Sequence, residues 1–105
     1  MKLNVEVITY QDQQETSHIV GSVLEALARR RTLACLDSGG HAYLRINRGS
    51  CIDLGGWSGG TWIGAEPGHV LRWAVREIKD LQLLAVRAHD SRRRAAVDRH
   101  AARPG

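Results

Sequence analysis

The fold of this chain is decided by residues 44–62, LRINRGSCIDLGGWSGGTW. This stretch contains two hairpin turns, and the second is the clearer one. Gly59 and Gly60 supply the positive φ angles that two-residue type I′ or II′ turns require. The turn therefore predicts that Trp57 faces Trp62 across an antiparallel pair of strands, an aromatic contact that stabilises a sheet.

The first turn is Asn47-Arg48-Gly49, whose glycine favours a three-residue hairpin loop. This register predicts that Leu44 faces Ile52 and that Ala42 faces Leu54. The two hairpins share their middle strand, so together they fix which side of the sheet each neighbouring residue occupies.

The alternation of side chains predicts two unlike sheet faces. One is aliphatic and is expected to form the core: Ala42, Leu44, Ile46, Ile52, Leu54, Ile63 and Ala65. The other carries aromatic and charged residues, the composition of protein-binding hot spots, and is the predicted partner-binding site: Tyr43, Arg45, Asp53, Trp57 and Trp62. An alternative is that the sheet curls and both tryptophans complete the core, since large aromatic residues are usually well buried.

Two amphipathic helices are predicted. The first follows the polar run at residues 11–17, with Asp12 and Glu15 as a capping box or with Thr16 or Ser17 as the cap, and its stripe is Ile19, Val20, Val23, Leu24 and Leu27. The second opens at Pro67, and its stripe is Leu71, Ala74, Ile78, Leu81, Ala85 and Ala88. A helix lying on a sheet fits this short stripe best, although a homodimer through residues 67–89 stays open.

Residues 3–10 alternate as a strand, and residues 32–37 are a second strand candidate. The predicted class is α+β: an antiparallel sheet of four to five short strands, with β-α-β-β-β-β-α as the order along the chain and two helices packed on one face. Residues 1–89 are expected to form a single globular domain. Residues 90–105 are expected to form a basic C-terminal arm that is either a helical extension or disordered.

The net charge of +4 is concentrated at the C-terminal end. From residue 87 onward there are six arginines and two aspartates, whereas the remainder has nine basic and nine acidic residues. Arginines neutralise phosphates, and exposed aromatic residues stack on bases. Nucleic-acid binding is therefore the alternative function, with the candidate residues Arg87, Arg92, Arg93, Arg94, Arg99 and Arg103.

Signals for catalysis or for a cofactor are weak. The glycines of residues 59–64 continue into Ala-Glu where a phosphate-binding loop needs Lys and Ser or Thr. The possible metal ligands lack the paired spacing of zinc sites: Cys35, His41, Cys51 and His69. Cys51, Asp53 and His69 could form a nucleophile, acid and base, but such a triple arises readily by chance. The sequence predicts no enzyme, cofactor or metal.

These observations favour a small non-enzymatic protein-binding module, such as an inhibitor, an immunity-type protein or a regulatory accessory protein of bacterial or phage origin. It is expected to be monomeric or homodimeric and to dock through the aromatic and arginine-bearing sheet face. Without an apolar run of about 20 residues or a signal-peptide pattern, and with two unpaired thiols, the chain is expected to be cytoplasmic and not membrane-bound.

Overall fold

The computed structural model describes residues 3–82. These residues form one five-stranded antiparallel sheet in the spatial order β2-β1-β3-β4-β5. The strands are β1 (Val5–Gln11), β2 (Gln14–Val20), β3 (His41–Ile46), β4 (Cys51–Ser58) and β5 (Thr61–Gly64). Helix α1 (Val23–Leu33) lies between β2 and β3, and helix α2 runs from residue 67 to the end of the described residues at 82. The predicted class, an α+β fold with an antiparallel sheet and two helices, is confirmed.

The core lies on one side of the sheet, called here the covered face. Residues of β1, β2, β3 and β4 meet residues of both helices there, in one cluster: Val5, Val7, Val20, Ala26, Ala34, Ala42, Leu44, Leu54 and Val70. Ala26 comes from α1 and Val70 from α2, so both helices pack on this face as predicted. The opposite side is called the open face, because no helix of residues 3–82 covers it.

Strand β2 lies where the sequence predicted the polar run and the start of the first helix. A two-residue turn at Asp12 and Gln13, with φ angles of 51° and 64°, joins it to β1. This turn geometry is usually signalled by Asn-Gly, Asp-Gly or Gly-Gly, and here Asp12 is followed by glutamine. Ile19 and Val20 consequently belong to a strand, and Ile19 is 77% exposed.

Helix α1 begins later than predicted because Ser22, and none of the earlier candidates, is its cap. The Ser22 hydroxyl accepts a hydrogen bond from the Glu25 backbone N–H at 3.1 Å, and the Glu25 carboxylate accepts one from the Gly21 N–H. This Ser-x-x-Glu arrangement satisfies N–H groups that the first helical turn leaves free. The motif is present in the sequence, but only the β1–β2 hairpin places the helix start there.

The strand predicted at residues 32–37 is absent, because α1 continues to Leu33 and is followed by a 3₁₀ turn at Leu36–Ser38. Cys35 has a φ of 59°, which reverses the chain sharply. The position beside β3 is taken instead by β1, with Val7 paired to Leu44. The order along the described chain is therefore two strands, a helix, three strands and a helix.

Both predicted turn positions are confirmed, but a β-bulge between them changes which face of the sheet the later residues of β4 occupy. Leu44 pairs with Ile52 and Trp57 with Trp62, as predicted. Ala42, however, pairs with Gly55 and not with Leu54, because β4 contains one extra residue at this point. An extra residue inverts the alternation along the rest of the strand. Trp57 and Trp62 therefore lie on the covered face.

Candidate functional site

The open face is built from alternate residues of all five strands. Its members follow from the strand pairings: Glu6, Ile8 and Tyr10 from β1; Glu15, Ser17 and Ile19 from β2; His41, Tyr43 and Arg45 from β3; Cys51, Asp53 and Gly56 from β4; and Thr61 and Ile63 from β5. An ordinary solvent-facing sheet is dominated by Thr, Lys and Glu, whereas this one has two tyrosines, a histidine and three isoleucines. Such a composition suits contact with another molecule better than contact with water.

A row of three aromatic rings crosses strands β1 and β3. The Tyr10 and Tyr43 rings meet edge to face, with their centroids 5.9 Å apart and their planes at 88°. The His41 ring lies 4.8 Å from Tyr43 on the other side. Tyr10 is 46% exposed and the other two are half-buried. The rings support one another and still present apolar area to solvent.

A depression of about 400 Å³ lies beside the two tyrosines. We call it the open-face depression, and its lining is Ile8, Tyr10, Glu15, Tyr43 and Cys51. Ile8, although it belongs to the open face, is only 2% exposed because the surrounding side chains enclose it. The depression thus has an apolar base, an aromatic wall formed by the two touching rings, a thiol and one carboxylate. Its volume is in the range of sites that hold a small ligand or a single side chain.

An ion pair between Glu6 and Arg45 lies on the open face beside this depression. The Glu6 carboxylate is 6% exposed and accepts hydrogen bonds from Arg45 Nη2 at 3.0 Å, from Arg45 Nε at 3.4 Å and from the Ser17 hydroxyl. The bonds from Arg45 and Ser17 hold the pKa of Glu6 below its ordinary value, although burial acts in the opposite direction. The hydrogen bond to Glu6 in turn raises the pKa of Arg45. Arg45 is therefore held by Glu6, and its role is at least partly structural.

Asp53 stabilises the β-bulge. Its Oδ1 atom accepts hydrogen bonds from the Gly55 N–H at 2.8 Å and from His41 Nε2 at 2.6 Å. The Gly55 N–H belongs to the bulged segment, where ladder pairing is interrupted. The His41 ring rests directly on Gly56, where a Cβ atom would overlap it. Asp53, His41 and the two glycines thus form one unit that fixes the edge of the aromatic row.

Glu15 faces Tyr10 across the β1–β2 pair. Its negative charge and its hydrogen bond with the phenol raise the pKa of Tyr10. No Lys or Arg within residues 3–82 forms an ion pair with Glu15, in contrast to Glu6. This carboxylate therefore places negative charge at the rim of the depression, and Arg45 acts on it only through a Coulomb interaction and without an ion pair.

Trp57 and Trp62 are half-buried on the covered face, against the end of α1. Their rings meet at 5.4 Å and 65°. The Trp57 Nε1–H donates to the Arg31 carbonyl oxygen at 3.1 Å, and the Arg31 guanidinium lies 5.0 Å from the Trp57 ring centre. Arg30 approaches Trp62 at 5.8 Å. Each indole thus has an arginine over it, an arrangement that stabilises the pair in place.

The structure accordingly divides the five predicted partner-binding residues. Tyr43, Arg45 and Asp53 lie together on the open face, while Trp57 and Trp62 lie on the other side of the sheet. The expectation that all five share one face is wrong, because the bulge inverts the alternation after Asp53. Whether any of them binds a partner stays a prediction.

Sequence reasoning missed several members of the open face, and a signal was available for some of them. The alternation of side chains along residues 3–10 placed Ile8 and Tyr10 away from the core. The sequence did not indicate that β1 pairs with β3, which is what brings these two residues beside Tyr43. Glu15 was misassigned to a helix cap. The arginine arm from Arg87 to Arg103 and the end of the 67–89 helix lie outside the described residues.

None of the comparisons with known proteins gives a match. This holds for protein-family models, for curated proteins and for solved structures alike. The function must therefore be inferred from the geometry of the site.

The possible catalytic and metal-binding residues do not converge within the described chain. Cys51 and Asp53 lie on the open face, whereas His69 is exposed near the start of α2, in the helix layer. Within residues 3–82, no group of three or more His, Cys, Asp or Glu side chains is arranged to hold a metal ion. Cys35 and Cys51 are both free thiols. In this same part of the chain, no helix is long and apolar enough to cross a membrane.

Proposed function

We propose that this chain is a small non-enzymatic protein-binding module, of the inhibitor, immunity-type or regulatory kind, that docks its partner through the open face of its sheet. One observation carries the proposal. The two helices of the described chain occupy a single side of the sheet, and the side that they leave free carries the aromatic row of Tyr10, Tyr43 and His41. Tyrosines grouped around a depression are typical of interface hot spots.

The open face is also organised before any partner arrives. Arg45 is fixed by Glu6, and His41 by Asp53, through hydrogen bonds between different strands. Side chains that are already held lose little conformational entropy when a partner binds. The face therefore suits recognition of a folded surface or an extended segment.

The charge of the open face favours a protein over a nucleic acid at this site. Its strands carry three acidic residues, Glu6, Glu15 and Asp53, against the single Arg45, a balance of −2 with His41 neutral. Arg48, in the turn after β3, adds one cation near Glu6. Phosphates are repelled by such a surface. Nucleic-acid binding through the arginine arm is a separate proposal that concerns residues outside the described part of the chain.

A photo-crosslinking experiment tests the proposal. A photoreactive amino acid replaces Tyr10 or Ile63, which are 46% and 63% exposed on the open face, or Leu24, which is 66% exposed on α1 and serves as the control. The two open-face positions are expected to capture the same specific protein in cells that express the chain natively, and the Leu24 position is not. Capture from Leu24 alone would contradict the proposal.

The partner identified in this way is then purified and its affinity measured. Tyr43→Ala is expected to weaken binding by about tenfold or more, since an aromatic anchor is worth roughly 2 kcal/mol. Leu24→Ala is the matched control and should leave the affinity unchanged. An unchanged affinity for Tyr43→Ala in a folded variant would remove the open face as the docking site.

A further inference from the structure

The open-face depression has features that define the chemistry of its occupant. The Tyr10 and Tyr43 rings, which touch edge to face at 88°, line it together as one continuous aromatic wall. Its rim carries the Glu15 carboxylate, and its base is the buried aliphatic side chain of Ile8. A group that fits must be apolar along its length and positively charged at its end.

We propose that the open-face depression binds a lysine or arginine side chain presented by the partner protein. This inference rests on the proposed function, of which it names the recognition chemistry. The methylene stem of such a side chain packs on Ile8 and on the tyrosine rings, as long cationic side chains commonly do. Its charged end then lies near a ring face and the Glu15 carboxylate, which attract a cation through the ring quadrupole and by direct charge.

Charge complementarity supports this occupant over an anionic or purely apolar one. The local cation, Arg45, forms its ion pair with Glu6 at 3.0 Å and acts on Glu15 only through a weaker Coulomb interaction. Asp53, on the far side of Tyr43, adds a second carboxylate that is 59% exposed at its side chain. Both carboxylates would repel an incoming anion, and a neutral apolar group would gain nothing from the negative charge of Glu15.

Short peptides of the form acetyl-Gly-Ser-Xaa-Ser-Gly-amide test the inference on the full-length chain. Xaa is Arg, Lys, citrulline or norleucine, so that citrulline keeps the shape of arginine without its charge and norleucine keeps the stem of lysine. Binding is followed through the NMR signals of the Tyr10 and Tyr43 ring protons. The Arg and Lys peptides are expected to shift these signals saturably with Kd values in the millimolar range, roughly threefold to thirtyfold tighter than their neutral counterparts.

Variants of the chain then assign the effect to the depression. Tyr43→Leu and Glu15→Gln should each weaken the Arg peptide by about threefold or more, whereas Tyr43→Phe, which keeps the ring face, should retain binding. Asp80→Asn removes an exposed carboxylate from α2 and is the matched control for Glu15→Gln. If Tyr43→Leu fails to fold, the comparison of Glu15→Gln with Asp80→Asn still decides whether the occupant must be charged.

Equal binding of the Arg and citrulline peptides, or an equal effect of Glu15→Gln and Asp80→Asn, would overturn the inference. These failures can be distinguished from failure of the proposed function. If a partner crosslinks at positions 10 and 63 but needs no basic residue to bind, the docking face is supported and the cationic occupant is rejected. Basic peptides that bind in the depression, with no partner captured on the open face, would give the reverse result.

Discussion

Gly55 is the residue on which the arrangement of the two sheet faces depends. Its φ is +128°, and a Cβ atom there would lie 2.6 Å from the Ile63 carbonyl oxygen and 2.7 Å from the Trp62 ring. The backbone can turn through the bulge and pass beneath the indole only because no side chain is present. A single glycine thus allows the tryptophans to reach the covered face.

Gly55→Ala is expected to lower the free energy of unfolding by about 2–4 kcal/mol, through backbone strain and overlap with fixed atoms. Urea denaturation followed by tryptophan fluorescence measures it. Gly59→Ala is the control, since its φ is also positive but a Cβ would meet open space, and it should cost only about 1–2 kcal/mol. Equal losses for the two variants would show that the close contacts at Gly55 do not matter.

Glu6 should make the stability depend on pH. Its folded-state pKa is lowered from the ordinary value of 4.5 by Arg45 and Ser17, so the stabilisation is fully present above the unfolded-state pKa and is lost as the pH falls through the folded-state pKa. The urea midpoint of the native chain is therefore expected to fall as the pH is lowered below 4.5.

The Glu6→Gln variant is the comparison for this prediction. At neutral pH it should be less stable by about 1–2 kcal/mol, because Arg45 loses a charged acceptor. Over the acid range its stability should change less than that of the native chain. Identical pH profiles for the two proteins would mean that another carboxylate dominates the acid response.

At the scale of elements, the last turn of α1 joins the helix to the two C-terminal strands. Arg30 Nη1 donates to the carbonyl oxygens of Leu54, at 2.9 Å, and Ala65, at 2.8 Å. These carbonyls lie at the bulge and just after β5, where ladder pairing is ending. A run of three arginines at positions 29–31 suggests a solvated helix end, but Arg30 is half-buried, whereas Arg29 and Arg31 are exposed.

The neighbouring arginines provide a matched pair of variants. Arg30→Met is expected to lower the free energy of unfolding by about 2 kcal/mol, since it removes two charge-assisted hydrogen bonds from a half-buried position. Arg29→Met removes only an exposed pair with Glu25 at 3.9 Å and should cost less than about 0.5 kcal/mol. Urea denaturation of both variants tests this, and similar losses would contradict the structural role of Arg30.

At the scale of the whole molecule, charge separates the candidate functions. Within the described strands the open face is acidic, whereas the net positive charge of the chain belongs to residues 87–105. A protein partner on the open face and a nucleic acid on the arm would therefore use different parts of the chain, and one deletion can separate them.

Deleting residues 90–105 removes five arginines and two aspartates. If the arm binds nucleic acid, affinity for a single-stranded oligonucleotide should fall, and the slope of log K against log salt should become shallower by roughly 0.7 for each phosphate that the arm no longer neutralises. Affinity for the Arg peptide at the open face should stay the same. Oligonucleotide binding that is unchanged by the deletion would reject the arm as its site.

The sequence by itself determined the local geometry wherever a turn or an alternation carried the information. The Gly59-Gly60 turn fixed the pairing of Trp57 with Trp62, and Pro67 marked the first turn of α2. Such features depend on residues close together in the chain, so their physical causes are visible in the sequence. The same holds for the α+β class and for the aliphatic side of β3.

Only the tertiary structure decided which face the tryptophans occupy and which residues surround Tyr43. The bulge at Leu54 depends on a hydrogen bond from Gly55 to Asp53 and on Trp62 lying over Gly55. The placement of Tyr10 beside Tyr43 depends on β1 pairing with β3, across some thirty residues of chain. Contacts between distant residues leave no periodic signal, and one extra residue in a strand reverses every assignment that follows it.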